Sequence, residues 1–306
     1  MEYYLGCSGW SYDGWKGPFY YPNDLDNRYW LSYYSKIFDF VEIDSTFYKI
    51  PSQFMVNNWN ERTPENFRFA VKFPKVITHE KRLKNVEKDI EQFYDAMEPL
   101  YDKILVFLIQ LPPSLQISEG LDLIKNLRYQ LDPSFRYAIE VRHHSWFNEL
   151  FYNVIKERNY CLVWSQQDIL ITPPILTTDF VYLRLIGDRS INEGDFGKIN
   201  KDRTNEMELW SKILIDVDRN VNDVKMAIIA ANNHYVGFGP MTAKLFSEMM
   251  NLKNHIRPFP ILDYKLPFNE TFRKEEDKQK QNYRTYKQQR QQYSKSRQTD
   301  ISEFFK

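Results

Sequence analysis

The stretch "FVYLRLIG" (residues 180–187) sets Val181, Leu183 and Leu185 on one side of an extended chain and Tyr182 and Arg184 on the other. Successive side chains of a strand point to opposite faces. The apolar face packs on helices, and the arginine enters an enclosed space, where a charge is costly unless it is paired. "RYAIEVRH" (136–143) repeats the pattern, with Ile139 and Val141 outward and Ala138, Glu140 and Arg142 inward. Six more runs are rich in Val, Ile, Phe and Tyr: "EYYLGCSG" (2–9), "FDFVEIDST" (38–46), "FRFAVKFP" (67–74), "KILVFLIQLP" (103–112), "CLVWSQ" (161–166) and "VKMAIIAANN" (224–233). Such runs read as strands. Most intervening segments, such as "SQFMVNNWNERT" (52–63) and "NEMELWSKILIDVDRN" (205–220), carry apolar residues at three and four spacing and read as helices. Ser52 and Thr242 are the expected N-caps of two of them. Strand then helix, about eight times in about 255 residues, predicts an α/β fold of the TIM-type (β/α)8 barrel class. An open doubly wound sheet would carry a Gly-rich phosphate turn after its first strand, and "GCSGWSYDGW" (6–15) is not one.

The 306 residues carry a formal net charge of zero, unevenly spread. From Phe272 onward ten Lys/Arg face five Asp/Glu, so residues 272–306 hold +5 and residues 1–271 hold −5. The composition shift near Phe272 divides a barrel domain (1–271) from a basic tail (272–306). An acidic body argues against a surface that coats nucleic acid broadly, whereas the tail suits salt-sensitive contact with an anionic partner. Two cysteines, Cys7 and Cys161, sit in apolar runs and match no zinc spacing, so buried free thiols are expected. Without a signal peptide or a long apolar segment, the expected location is cytoplasmic, with no membrane partner.

In a barrel, chemistry gathers at the C-terminal ends of the strands. Those ends carry Ser8 and Trp10, Glu42 and Asp44, Lys72, Gln110, Glu140 with Arg142 and His143, Arg184, and Asn232 with Asn233. Pairing of Glu140 with Arg142 or Arg184, and of Glu42 or Asp44 with Lys72, would offset the cost of interior charge. Such pairs are also what a structural plug looks like. If the cluster is functional, two chemistries fit. Glu140 with Glu42 or Asp44 would supply separated acid and base, while Arg142, Arg184 and Lys72 hold a phosphate or carboxylate. Alternatively, Lys72 is a Schiff-base nucleophile if desolvation lowers its pKa. Trp10, Tyr12 and Trp146 are candidate stacking platforms for a base or sugar. No cofactor is implied with certainty; a His with carboxylates could hold one divalent metal ion.

These motifs together resemble the domain-of-unknown-function 72 family, also called YecE-like. The words that carry the resemblance are "GCSGWSYDGWKGPFYYP" (6–22), "FDFVEIDSTFYKIP" (38–51), "FRFAVKFPKVITHEKRL" (67–83), "IQLPPSL" (109–115), "AIEVRHHSWF" (138–147), "YLRLIGDRS" (182–190) and "AANNHYVGFGPMTA" (230–243). The resemblance implies a TIM-type barrel and is compatible with nuclease-like roles. Two positions depart from it: the family often has Asn where Asp44 stands, and "RLHG" where this chain has Ile186.

The chain ends in "QTDISEFFK" (298–306). This looks like the peptide by which replication and repair proteins bind the sliding clamp, proliferating cell nuclear antigen (PCNA). Gln298 is followed at the right spacing by Ile301, Phe304 and Phe305, which can cluster on one turn of 3-10 helix as an apolar plug. Lys295 and Arg297 add positive charge upstream. Such clamps belong to archaea and eukaryotes, so an archaeal host is expected. Three functions remain open at this point: a clamp-recruited DNA repair or processing hydrolase (nuclease or glycosylase), a carbohydrate or phosphosugar hydrolase or isomerase, and a non-catalytic clamp client. For the tail itself, calorimetry should show micromolar binding to the clamp that is lost in the Phe304→Ala/Phe305→Ala double variant. Undiminished binding would remove the peptide from the interaction.

Overall fold

The computed structural model describes residues 1–17, 20–252 and 256. Eight parallel strands close into a barrel in the order β1 to β8. They are β1 (Glu2–Ser8), β2 (Phe40–Ile43), β3 (Arg68–Lys72), β4 (Ile104–Gln110), β5 (Tyr137–Glu140), β6 (Tyr160–Gln167), β7 (Phe180–Gly187) and β8 (Met226–Ala231). All eight sequence-predicted strands are present. Closure is made by β1 on β8, from Glu2 opposite Met226 to Cys7 opposite Ala231. The fold is that of a TIM-type (β/α)8 barrel, with helices α1 (Trp30–Tyr34), α2 (Gln53–Glu61), α3 (Glu87–Met97), α4 (Ile117–Leu127), α5 (Glu149–Glu157), α6 (Thr204–Asn220), α7 (Asn233–Val236) and α8 (Gly239–Met249) between and after the strands.

The period-two alternation sorts side chains as expected. Val181, Leu183 and Leu185 of β7 pack outward with Trp210 and Leu214 of α6 and Phe246 of α8. Phe180 and Tyr182 turn inward with Phe40, Ala70, Leu108, Ala138, Cys161 and Ile228, filling the barrel from successive strands. Burial of both faces explains why β4 reads as an almost unbroken apolar run. Both cysteines are buried free thiols, and burial pushes the Cys161 thiol up to about 12.

Local signals were partly overridden. The Ser52 side chain does cap α2, accepting from the Met55 amide at 3.3 Å. Thr242 does not cap α8: that helix starts at Gly239 with Pro240, and the Thr242 hydroxyl, one turn in, donates back to the Phe238 carbonyl at 3.0 Å. The segment 24–38 forms a short 3-10 turn at Asn27–Tyr29 and five residues of α1 instead of one long helix. No helix follows β6; an irregular loop, residues 168–179, carries the chain to β7. After β3, Val76–Glu80 forms a π-helical turn, a geometry concentrated at functional sites. Among the described residues no helix is long and apolar enough to cross a membrane. The expected boundary at 271/272 and the peptide Gln298, Ile301, Phe304 and Phe305 lie outside the described residues.

Between β1 and β2 the ladder is completed by a side chain. The Cys7 amide donates to the Tyr34 hydroxyl at 2.7 Å, which donates on to the Phe40 carbonyl at 2.9 Å. Only a glycine leaves room for this: a Cβ on Gly6 would sit 2.0 Å from the Phe40 carbonyl oxygen and 2.7 Å from the Tyr34 hydroxyl. Gly6→Ala is therefore expected to cost about 3 kcal/mol, read as a lowered urea midpoint. An unchanged midpoint would mean that β1 and β2 can part without penalty.

Candidate functional site

The C-terminal strand ends bring together three cations and three carboxylates from four different strands or their first loop residues. At the centre stands Arg184 of β7. Its Nε and Nη2 donate to the two oxygens of Glu42 on β2, at 2.7 and 2.5 Å, and its Nη1 donates to Glu140 on β5. Arg142 Nε donates to the other Glu140 oxygen, and Tyr182 donates to Glu42. Both glutamates are 0% exposed, and all four of their oxygens are occupied. Burial alone would raise the Glu140 carboxyl, but Arg142, Arg184 and Lys72 outweigh it and hold it below the usual carboxylate range. Burial likewise works against the Arg184 charge, and Glu140, Glu42 and Asp44 more than reverse it.

Of the two carboxylates expected for Lys72, the structure selects Asp44; Glu42 is bound to Arg184, across the barrel interior. Lys72 pairs with Asp44 alone, Nζ to Oδ1 at 3.6 Å. Asp44 lies just past the end of β2, in helical backbone, and its Oδ1 is also 3.6 Å from Arg184 Nη2. That oxygen is buried with no hydrogen-bond partner among the described residues. So is the Ser8 hydroxyl, at the end of neighbouring β1, and so is Nδ2 of Asn233, at the end of β8. Three orphaned polar atoms on adjacent strand ends are uncommon in a native interior, and each calls for water or ligand. Burial lowers the Lys72 pKa, against the opposing pull of Asp44. Its ammonium also lies 4.2 Å over the Phe47 ring.

Sequence reasoning left His79 and Gln167 out of this site. His79 is carried in by the π-helical turn and packs edge-on against Phe47, ring centroids 4.8 Å apart. Burial, then Lys72 and Arg142, push its pKa down to about 4, so the imidazole is neutral at physiological pH. Gln167 accepts from Arg142 Nη1 at 2.7 Å. Arg142 Nη2 makes no hydrogen bond among the described residues and is available to an anion. The signal for His79 was its position shortly after β3; nothing in the residue pattern announced a π-turn.

The remaining expected residues are placed as follows. Gln110 is buried at the end of β4. His143 stacks on His144 and shares a hydrogen bond with Ser145. Asn232 caps α7, accepting from the His234 amide at 3.0 Å. Asn233 Oδ1 accepts from the Trp15 indole and the Gly239 amide, both at 2.9 Å. Tyr12 donates to the Ser8 carbonyl at 2.8 Å and packs on Trp15; Trp10 packs edge-on against Trp59. Trp146 departs from the stacking role expected for it. It is fully buried, donates to the Leu115 carbonyl at 2.8 Å and packs on Phe151, so it offers no face to a ligand. The set does not fit a metal ion: among the described residues no three His, Cys, Asp or Glu side chains gather for one, and arginines occupy the two central carboxylates.

A barrel of eight strands with these motifs at their ends matches, over residues 4–262, the family described as protein of unknown function DUF72. The chain belongs to the DUF72 family. It is 33% identical over 117 residues to the UPF0759 protein YecE of Escherichia coli K12, a stretch spanning 38% of this chain and 43% of that protein. It is 29% identical over 157 residues to the UPF0759 protein YunF of Bacillus subtilis, 49% of this chain and 54% of that one. The chain thus covers about half of these curated relatives. A crystal structure of a DUF72 protein from Thermotoga maritima superposes with a TM-score of 0.71 at 28% identity, covering 82% of this chain and 100% of the other. A second DUF72 structure, from Enterococcus faecalis, gives 0.65 at 22% identity, covering 82% and 98%, and speaks to the fold alone.

The ion network separates breaking from replacing. Arg184→Met leaves buried Glu42 without a cation, while Glu140 keeps Arg142, and should cost about 3–5 kcal/mol. Adding Glu42→Gln to that variant should recover most of the loss, because Glu140 still pairs with Arg142 and Asp44 with Lys72. Equal destabilisation of the single and double variants in denaturant titrations would show that these groups do not act through charge compensation.

Proposed function

We propose that this DUF72 protein is a DNA-processing enzyme of the glycosylase/lyase type, in which Lys72 attacks a sugar C1′ carbon at the barrel mouth and the tail, through residues 298–305, tethers the barrel to PCNA. The observation that carries the catalytic half is the Lys72–Asp44 pair. A desolvated amine stands 3.6 Å from a buried carboxylate oxygen that lacks a hydrogen bond. A lysine whose pKa is lowered by burial is the usual way to obtain a neutral amine nucleophile.

The steps follow from what each residue offers. Asp44 takes one proton from the Lys72 ammonium, and the neutral amine adds to the C1′ aldehyde of an abasic deoxyribose; the N–C bond forms and the carbonyl oxygen becomes an alkoxide. Asp44 gives that proton to the alkoxide, then relays a second proton from the nitrogen to the resulting hydroxyl, so water leaves and a protonated imine remains. Asp44, again a carboxylate, takes a C2′ proton, and elimination breaks the C3′–O bond with the 3′-phosphate as leaving group. Arg142, with one free Nη2, faces that phosphate. Glu42, Glu140 and Arg184 hold Asp44 and Arg142 in place and are positioning residues, not acid and base. The clamp half is supported by the sequence pattern of Gln298, Ile301, Phe304 and Phe305 following basic residues. The curated relatives above are bacterial, so this half calls for a host whose clamp reads that peptide, archaeal on this reading.

A second reading draws on the same pair. An amine beside a carboxylate would equally form an imine with a small phosphosugar aldehyde, with Arg142 on the phosphate. Borohydride trapping discriminates. With an abasic-site duplex, reduction should yield a covalent protein–DNA product, lost at least 100-fold in Lys72→Met. Its rate should rise with pH and level off below the ordinary lysine range, since the neutral amine reacts. Trapping of glyceraldehyde phosphate but not of DNA would favour the second reading; no trapping of either, or full trapping by Lys72→Met, would end the amine mechanism.

A further inference from the structure

Two groups of exposed apolar side chains stand on opposite sides of the mouth. β2 and β6 are four places apart in a closed ring of eight, so their C-terminal loops face one another across it. After β2 come Tyr48, 71% exposed, and Phe54 at the first turn of α2, 79% exposed. After β6 comes "ILI" (169–171), whose first residue is 98% exposed. This loop stands where a helix usually packs, and it is held. Asp168 accepts from Arg203 Nη2 at 2.6 Å on one side of the tip. On the other, the Thr172 amide donates to the Ser165 carbonyl at 3.1 Å, and Ile171 bridges back to Gln166. A single exposed apolar residue on a loose loop needs no explanation. An isoleucine projected from a loop pinned on both sides forgoes burial that a small relaxation could gain.

We propose that Ile169 is a wedge that enters the base stack of a DNA duplex beside an extruded nucleotide, with the Tyr48 side of the mouth bracing the opposite flank. The inference rests on the DNA reading above and names its substrate as duplex, not single strand. Enzymes that act on a nucleotide inside a duplex must take it out of the stack, and inserted apolar side chains are how proteins hold such a gap open. The chemistry between the two groups suits this occupant. Lys72 and Arg142 lie in the mouth, and Lys49, beside Tyr48, and Arg189, just after β7, are exposed cations with no ion pair among the described residues. Backbone phosphates on either side of the extruded nucleotide would meet these charges.

The test uses a duplex carrying a tetrahydrofuran abasic analogue beside 2-aminopurine. The analogue has no aldehyde, so Lys72 chemistry does not enter. Full-length protein should raise 2-aminopurine fluorescence on binding. Ile169→Ser should abolish that rise and weaken binding about tenfold, and Ile169→Leu should restore both. Borohydride trapping on a single-stranded abasic oligonucleotide, which has no stack to fill, should be unchanged in Ile169→Ser. Equal affinity and fluorescence for Ile169→Ser would overturn the wedge while leaving the enzyme reading intact. Wild-type protein that does not bind the duplex, or that binds anionic vesicles through Ile169 instead, would also overturn it. Absence of single-strand trapping by the wild type would fall on the amine mechanism instead.

Discussion

The guanidinium of Arg184 is the constraint on which the upper half of the barrel depends. It is 2% exposed and receives two carboxylates that approach from β2 and β5, on different sides of the interior. A buried carboxylate or guanidinium alone is far more costly than a paired one. Glu42 and Glu140 are therefore tolerable only while the ring is closed with β7 in register between β6 and β8. All four glutamate oxygens are satisfied: Arg184 reaches three of them, Arg142 takes the fourth, and Tyr182 shares one with Arg184.

That saturation has a chemical consequence. Groups whose oxygens are all occupied do not trade protons with a substrate, so on the proposed reading the central carboxylates position its participants and take no proton themselves. Among the described residues, the buried polar atoms left without a hydrogen bond beside them are Asp44 Oδ1, which meets Lys72 and Arg184 only as 3.6 Å ion pairs, the Ser8 hydroxyl and Nδ2 of Asn233. The neutral imidazole of His79, set against Phe47, adds a polar edge without adding charge. The contrast between fully bonded glutamates and these unsatisfied atoms is what supports reading the cluster as a site.

Much of this was legible in the sequence. The two-residue alternation in "FVYLRLIG" and "YAIEVRH" fixes which side chains enter the barrel, because the pleat leaves no other choice, and the strand count fixes closure. What alternation does not encode is angular position around the ring. Glu42 and Arg184 are separated by 142 residues, and their meeting depends on tilt and stagger of the whole barrel; a local reading left open whether Glu42 or Asp44 meets Lys72, and did not pair Glu42 with Arg184. Loop geometry was similarly hidden. Arg82 and Leu83 adopt left-handed backbone just after the π-turn that carries His79, against the preference of both residues, so tertiary packing and not propensity shapes that segment; Asn85, also left-handed, is a residue that tolerates it. Trp146 illustrates the converse: an aromatic near a strand end reads as a ligand platform, yet its indole closes a gap against Gly120, where a Cβ would meet the ring at 2.7 Å.

The aspartate at position 44 brings these groups together. An asparagine there would leave three cations, Lys72, Arg142 and Arg184, over two carboxylates, Glu42 and Glu140. Asp44 brings the count to three against three. An asparagine could accept a hydrogen bond from Lys72 but not its proton. On the proposed reading, burial opposes the Lys72 charge while Asp44 supports it, so a substrate phosphate near Lys72 would hold the ammonium, and its movement toward Arg142 would release the amine.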